Sequence, residues 1–298
     1  MNARASFHKY WDTVDDELAA MAARPVLERM PRHCTEDWTL YALRMTSIGP
    51  VRLFGYLSIP TGDGPFPGLL EIPTYGSVNH VPDWHDRRRY VVLTPMHRGQ
   101  RLADMTFAAS YPGLLTLDLH DPERYIYRGI AADCLRAAEV LLSRPELDRD
   151  RVAVSGGDLA VITAARRPVF RALRLQGLVH YRAMEARSRT NAYPLEEFND
   201  YIRYRPGTED AVGHTLDFFN PALHAPAVRA AVATATGEPG TTTGIDWLAP
   251  ILDALGGPVE HWPATHRGGI DRDRMDAWLA GQLGVEPASR FIKELQRW

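Results

Sequence analysis

Apolar runs rich in β-branched or aromatic residues, bounded by Pro and Gly, recur along the 298-residue chain at Val51–Ile59, Pro67–Ile72, Tyr90–Leu93, Arg151–Val154, Leu173–Val179, Ala230–Thr236 and Pro258–Trp262. Runs of this length with these boundaries predict β-strands. Between them the apolar positions change to helical spacing. Gly129–Leu142 places Ile130, Cys134, Ala138, Leu141 and Leu142 on one face, and Ile245–Leu255 and Arg272–Leu283 repeat the pattern. Strand and helix alternate toward the C-terminus. Parallel neighbours require crossover connections, so the alternation predicts an α/β fold with a mostly parallel central sheet flanked by helices. The first two strands, joined through a Thr61–Pro65 turn, read as an antiparallel edge. The charged and aromatic segment Glu185–Asp217 reads as a helical insertion before the last strands, either a cap over a site or a surface hairpin. A single domain over residues 1–298 carrying this insertion is the simplest organisation.

Charge and composition narrow the partners. The chain has 34 Lys and Arg against 37 Asp and Glu, a net charge of −3, with both signs mixed throughout. That distribution offers no footprint for nucleic acid or an anionic membrane, and a small-molecule partner is expected. The 2 cysteines, Cys34 and Cys134, cannot build a disulfide framework or a thiolate metal site. The first twenty residues contain no apolar core of a signal peptide, and no run approaches the roughly 18 apolar residues of a membrane span. A cytoplasmic location is the expectation. His80, His85 and His120 lack metal-ligand spacing, so neither a metal nor another cofactor is expected.

Chemistry concentrates in Arg151–Ala165, which reads as a buried strand, a Gly pair, one polar residue and a small-residue helix. This is the layout of a nucleophile elbow, in which a strained turn presents the catalytic side chain beside a helix N-terminus. Gly156-Gly157-Asp158-Leu159-Ala160 occupies it, with Asp158 where the usual motif has Ser. Ser155, at the strand's end, is read as structural.

Together with Phe7-His-Lys-Tyr-Trp-Asp12, Pro73-Thr-Tyr-Gly76, His97-Arg-Gly-Gln100, Tyr125-Ile-Tyr-Arg-Gly129, Phe218-Phe-Asn-Pro-Ala222 and Pro263-Ala-Thr-His266, this elbow resembles the acetyl xylan esterase and cephalosporin C deacetylase family over nearly the whole chain. The resemblance implies an α/β-hydrolase fold and removal of acetyl groups from small substrates. It places the oxyanion-hole tyrosine on Tyr75, the second oxyanion donor on the Leu159 amide just after the elbow residue, the catalytic histidine on His266 and the triad acid on Glu238, with Gly157 a further candidate for substrate binding. Asp158 falls on the nucleophile. The Arg98 loop is mainly structural in that family and receives no catalytic role, whereas Trp84 and His85 are candidates for the pocket mouth. Family members form cyclic or dihedral assemblies, so a homo-oligomer is compatible with the resemblance.

An aspartate nucleophile fits acyl transfer poorly, because carboxylate leaves the tetrahedral intermediate more readily than alkoxide and the intermediate reverts. Asp nucleophiles attack sp³ carbon in haloalkane dehalogenases and epoxide hydrolases, which lack the Arg-Gly-Gln and Tyr-Arg-Gly signatures. If Asp158 and Glu238 both flank His266, the imidazole becomes a stronger base. The leading expectation is therefore acetate elimination from an O-acetylated small molecule, similar to the acetate-eliminating enzymes of tetronate and spirotetronate antibiotic pathways, with His266 as general base. The alternative is hydrolysis of an acetyl ester by His-activated water. A third reading is a non-catalytic binding protein, in which Asp158 merely caps a helix.

Overall fold

The computed structural model describes residues 3–76, 80–104 and 107–288. Its strands are β1 (Val26–Arg29), β2 (Trp38–Thr46), β3 (Arg52–Pro60), β4 (Phe66–Glu71), β5 (Val91–Met96), β6 (Leu147–Gly156), β7 (Ala172–Leu175), β8 (Ala231–Thr236) and β9 (Val259–Pro263). They form one sheet in the order β1-β2-β3-β5-β4-β6-β7-β8-β9. From β5 to β9 all neighbours are parallel, and β1, β2 and β3 extend it as an antiparallel wing. The helices are α1 (Ala3–Ala20), α2 (Trp84–Arg87), α3 (Ile126–Leu142), α4 (Asp158–Arg166), α5 (Ala183–Ala186), α6 (Glu196–Tyr204), α7 (Glu209–Phe219), α8 (Pro221–His224), α9 (Ile245–Ala254) and α10 (Gly268–Leu283). This is the expected α/β fold.

The period-2 alternation of strand side chains sorts the core onto two faces. Leu70, Leu93, Val152, Val154 and Leu173 join the large core that includes residues of α1, α3, α4 and α9. Their neighbours Leu69, Val92, Ala153 and Ala172 face the other way, against Leu279 and Leu283 of α10. Both faces of the central strands are therefore covered, which is why those strands read as unbroken apolar runs.

One strand pairing differs from the expectation. The runs at Val51–Ile59 and Pro67–Ile72 are not antiparallel neighbours, because β5 lies between β3 and β4. Burial accounts for the difference: Pro67 to Leu70 are all buried, an environment found at the centre of a parallel sheet. The antiparallel partners of β3 are β2 and β5. A second difference is that β7 stops at Leu175 instead of continuing to Val179. The amides of Val179 and His180 are taken by a side chain of α4, as described below, so the chain leaves the sheet there.

α5, α6 and α7 lie between β7 and β8 and make up the insertion. Its far end is tied to the N-terminal helix by the fully buried Trp11, whose indole N–H donates to the Phe218 carbonyl at 3.0 Å. Arg98 is bound into the scaffold: its amide and Nε both reach Asp133 Oδ2 at 2.9 Å, and Nη2 donates to the Ile48 carbonyl at 3.1 Å.

Candidate active site

β6 delivers the chain to Gly156 and Gly157, and α4 begins at Asp158. The turn is close-packed. Gly156 has φ +151°, and a Cβ on Gly157 would lie 2.3 Å from the Gly177 carbonyl oxygen, so the Gly pair is what lets this crossover pass the loop after β7. Asp158 itself is helical, and it is not among the residues with positive φ. The expected strained residue at the elbow is therefore absent, because the two glycines make the turn.

The Asp158 side chain is 7 % exposed and faces the loop that follows β7. Its Oδ2 accepts the Val179 N–H at 2.8 Å and its Oδ1 accepts the His180 N–H at 3.0 Å. The His180 ring is also buried here, with Nδ1 3.6 Å from Asp158 Oδ2, within ion-pair range but too long for a hydrogen bond. Its Nε2 lies 3.1 Å from the Tyr125 hydroxyl, which is 2.8 Å from the Leu115 carbonyl. A carbonyl can only accept, so the phenol proton goes to Leu115 and His180 donates through Nε2–H. Burial, reinforced by the nearby Asp158 charge, pushes the Tyr125 phenol well above its ordinary range and keeps that proton in place.

Above Asp158 lies a cleft of ≈ 460 Å³ at the C-terminal ends of the parallel strands. Residues 73–75 form one wall, Gly157 to Leu159 the floor, and residues 176–180 a second wall. Tyr127, Thr190 and residues 192–195 of the insertion, and Thr242 and Thr243 complete it. The insertion thus contributes part of the cleft lining. A neighbouring lobe, also ≈ 460 Å³, shares Gln176, Gly177, Leu178, Thr242 and Thr243 and continues toward Arg272 and Met275 of α10.

Tyr75 lines the cleft, and its hydroxyl donates to Glu197 Oε1 on α6. Burial and the adjacent carboxylate raise the Tyr75 phenol far above its ordinary value, so the proton stays and is committed to Glu197. Leu159 contributes to the floor from the first turn of α4, where backbone amides have no intrahelical acceptor.

His266 and Glu238 come together as the sequence expects, with Nε2 and Oε1 3.5 Å apart, but 69 % and 74 % of their side chains are exposed. Neither lines the cleft. Asp158 and Glu238 do not converge on His266, because the imidazole within ion-pair range of Asp158 is His180. Trp84 and His85 stack on each other at 4.3 Å in α2 and lie outside the cleft lining. Ser155 is structural in its contacts, accepting Arg174 Nε at 2.8 Å and Gln176 Nε2 at 3.1 Å.

Two residues of the site escape sequence reading. His180 gives no signal beyond being a lone histidine after a strand. Glu197 gives a faint one: it sits four residues before Tyr201 on the face of α6 that buries Phe198 and Tyr201, a carboxylate within an apolar stripe.

The model of the acetyl xylan esterase (AXE1) family matches residues 2–243. This chain belongs to that family. An acetyl esterase, Axe7A, of Xylanibacter ruminicola is 25% identical over 178 residues, which is 54% of this chain and 40% of that protein. The chain thus spans well under half the length of that relative. Among solved structures, an acetyl xylan esterase from Paenibacillus sp. R4 superposes with a TM-score of 0.80 at 19% identity, covering 92% of this chain and 94% of the other. Acetyl xylan esterase 1 from Thermoanaerobacterium sp. JW/SL YS485 gives 0.77 at 19% identity, covering 90% and 92%. These structures share the acetyl xylan esterase fold with this chain. Among the described residues, no helix is long and apolar enough to cross a membrane.

Proposed function

We propose that this acetyl xylan esterase family member is a carboxylic ester hydrolase that removes acetyl groups from a small molecule by direct attack of water. The observation that carries the reading is the family's fold with a cleft whose floor is the N-terminus of α4, where the Asp158 carboxylate is tied to two amides and offers no hydroxyl nucleophile. Asp158 would form an anhydride that reverts, so no acyl-enzyme is invoked. The tetrahedral oxyanion is received by the Leu159 amide and by the backbone amide of Tyr75, since the Tyr75 hydroxyl proton belongs to Glu197.

Water activation falls to His266. Both ring nitrogens of His180 face partners, whereas His266 turns Nε2 toward Glu238 on a side chain that is largely exposed. Glu238 shares the loop between β8 and α9 with Thr242 and Thr243, so the base and its water approach the cleft from that side.

The test is hydrolysis of p-nitrophenyl acetate by wild type, His266→Ala and Asp158→Ser. Wild-type turnover is expected, with a loss of about 10²–10⁴-fold in His266→Ala, the usual contribution of a general base. Undiminished turnover in His266→Ala removes the assigned base. Acetate elimination is the second reading, kept by the lack of a hydroxyl at position 158. Here the base would take a carbon-bound proton and expel acetate from an acetylated, tetronate-type compound. p-Nitrophenyl acetate cannot eliminate to an alkene, so a silent wild type beside an active Asp158→Ser would favour elimination over hydrolysis.

A further inference from the structure

We infer that Glu197, on the helical insertion, is a positioning residue that holds Tyr75 and its loop in place over the cleft. The inference rests on the hydrolase reading for its catalytic consequence and on geometry alone for the positioning itself. Glu197 uses both carboxylate oxygens: Oε1 accepts the Tyr75 hydroxyl and Oε2 accepts the Gly113 amide at 2.8 Å. One side chain thereby joins the loop after β4, the turn at Gly113 and α6, segments 122 and 84 residues from it along the chain.

The setting argues against a bland role. Glu197 is 4 % exposed, next to the fully buried Phe198, and no Lys, Arg or His forms an ion pair with it among the described residues. Burying a carboxylate without a cation is unfavourable, and an apolar residue would fill the same stripe of α6 without that penalty. Burial accordingly holds the Glu197 carboxyl above its ordinary range, while the bonds from Tyr75 and Gly113 pull it back. What the carboxylate provides, and an apolar residue could not, is a link between the cleft-lining Tyr75 and the turn at Gly113. Tyr111 braces Tyr75 from another side, edge to face at 5.2 Å. With its hydroxyl fixed and its ring braced, Tyr75 is held in the lining of the cleft that also contains Asp158 and Leu159. Glu197 touches no substrate in this scheme and acts through Tyr75.

The experiment compares Glu197→Ala, Glu197→Gln, Tyr75→Phe and the double variant Tyr75→Phe/Glu197→Ala by steady-state kinetics on p-nitrophenyl acetate and by hydrogen exchange of the segment 72–76. Glu197→Ala should lower kcat by about 10- to 100-fold with KM within about threefold, the scale of a misplaced catalytic group. The double variant should be no slower than the worse single variant, because both remove the same bond. Glu197→Gln retains one acceptor and should recover part of the rate; it also carries the test if Glu197→Ala does not fold. Exchange at 72–76 should quicken in the Glu197 variants. Unchanged exchange there, or kcat losses that simply multiply in the double variant, would overturn the inference. If wild type does not turn over p-nitrophenyl acetate, the hydrolase reading falls, and exchange at 72–76 alone decides the positioning role: quicker supports it and unchanged overturns it.

Discussion

Asp158 accepts an amide hydrogen on each oxygen, from Val179 and His180, so its position is set by a loop twenty-odd residues further along the chain. The Tyr125–His180 bond supports that loop from the residue that precedes α3. Tyr125→Phe removes the acceptor of a buried imidazole N–H and the donor to the Leu115 carbonyl, and should destabilise the protein by about 1–3 kcal/mol. The check is the urea midpoint, which should fall while the slope is unchanged; an unshifted midpoint would show that His180 finds another partner. The local sequence around Asp158 reveals its strand, turn and helix. It does not reveal the partners of His180 and Glu197, because those partners are far away along the chain.

The crossover from β6 to α4 depends on two glycines. Gly157→Ala would push a Cβ to 2.3 Å from a backbone carbonyl that cannot rotate away. A loss of about 1–3 kcal/mol or more is expected, as for overpacking elsewhere, read from urea unfolding; a neutral Gly157→Ala would mean that the loop at Gly177 yields. Legibility followed burial at this scale too. The central stretches of β4, β5, β6 and β8 are buried on both faces and stand out as apolar runs. β1 exposes three of its four residues and β2 mixes buried and part-buried positions, so neither produces a run. β3 pairs with β2 on one side and β5 on the other, and neither pairing is marked by the run of β3 alone. The strand-to-helix alternation, by contrast, places α9 and α10 correctly, α10 beginning a turn earlier than its apolar spacing suggests.

Across the whole molecule, the N-terminal helix and the end of the insertion meet around a buried histidine. His224 packs edge-on against Phe7 at 4.8 Å and Trp11 at 5.0 Å, with Nε2 3.2 Å from the Phe218 carbonyl. Burial lowers its pKa from 6.5 to about 3. Between those values the unfolded chain binds a proton that the folded one refuses, so stability is complete above pH 6.5 and declines as the pH falls toward 3. The loss should amount to several kcal/mol. His224→Phe should flatten the dependence of the urea midpoint on pH across this window, and an unaltered slope would place the acid sensitivity elsewhere. The family fold, shared over 92% of this chain with the Paenibacillus structure, surrounds this junction without revealing it in the sequence, where His224 is one of 11 histidines.

The grip of Asp158 on the 176–182 segment has a practical consequence for redesign. A serine introduced there offers one oxygen where two amides wait, so the change that supplies a hydroxyl also unfastens a wall of the cleft. Chemistry and carpentry cannot be altered separately at this position. A variant that gains acyl transfer will accept a wider range of guests and hold each of them less firmly, until a second substitution gives the Val179 or His180 amide a new acceptor.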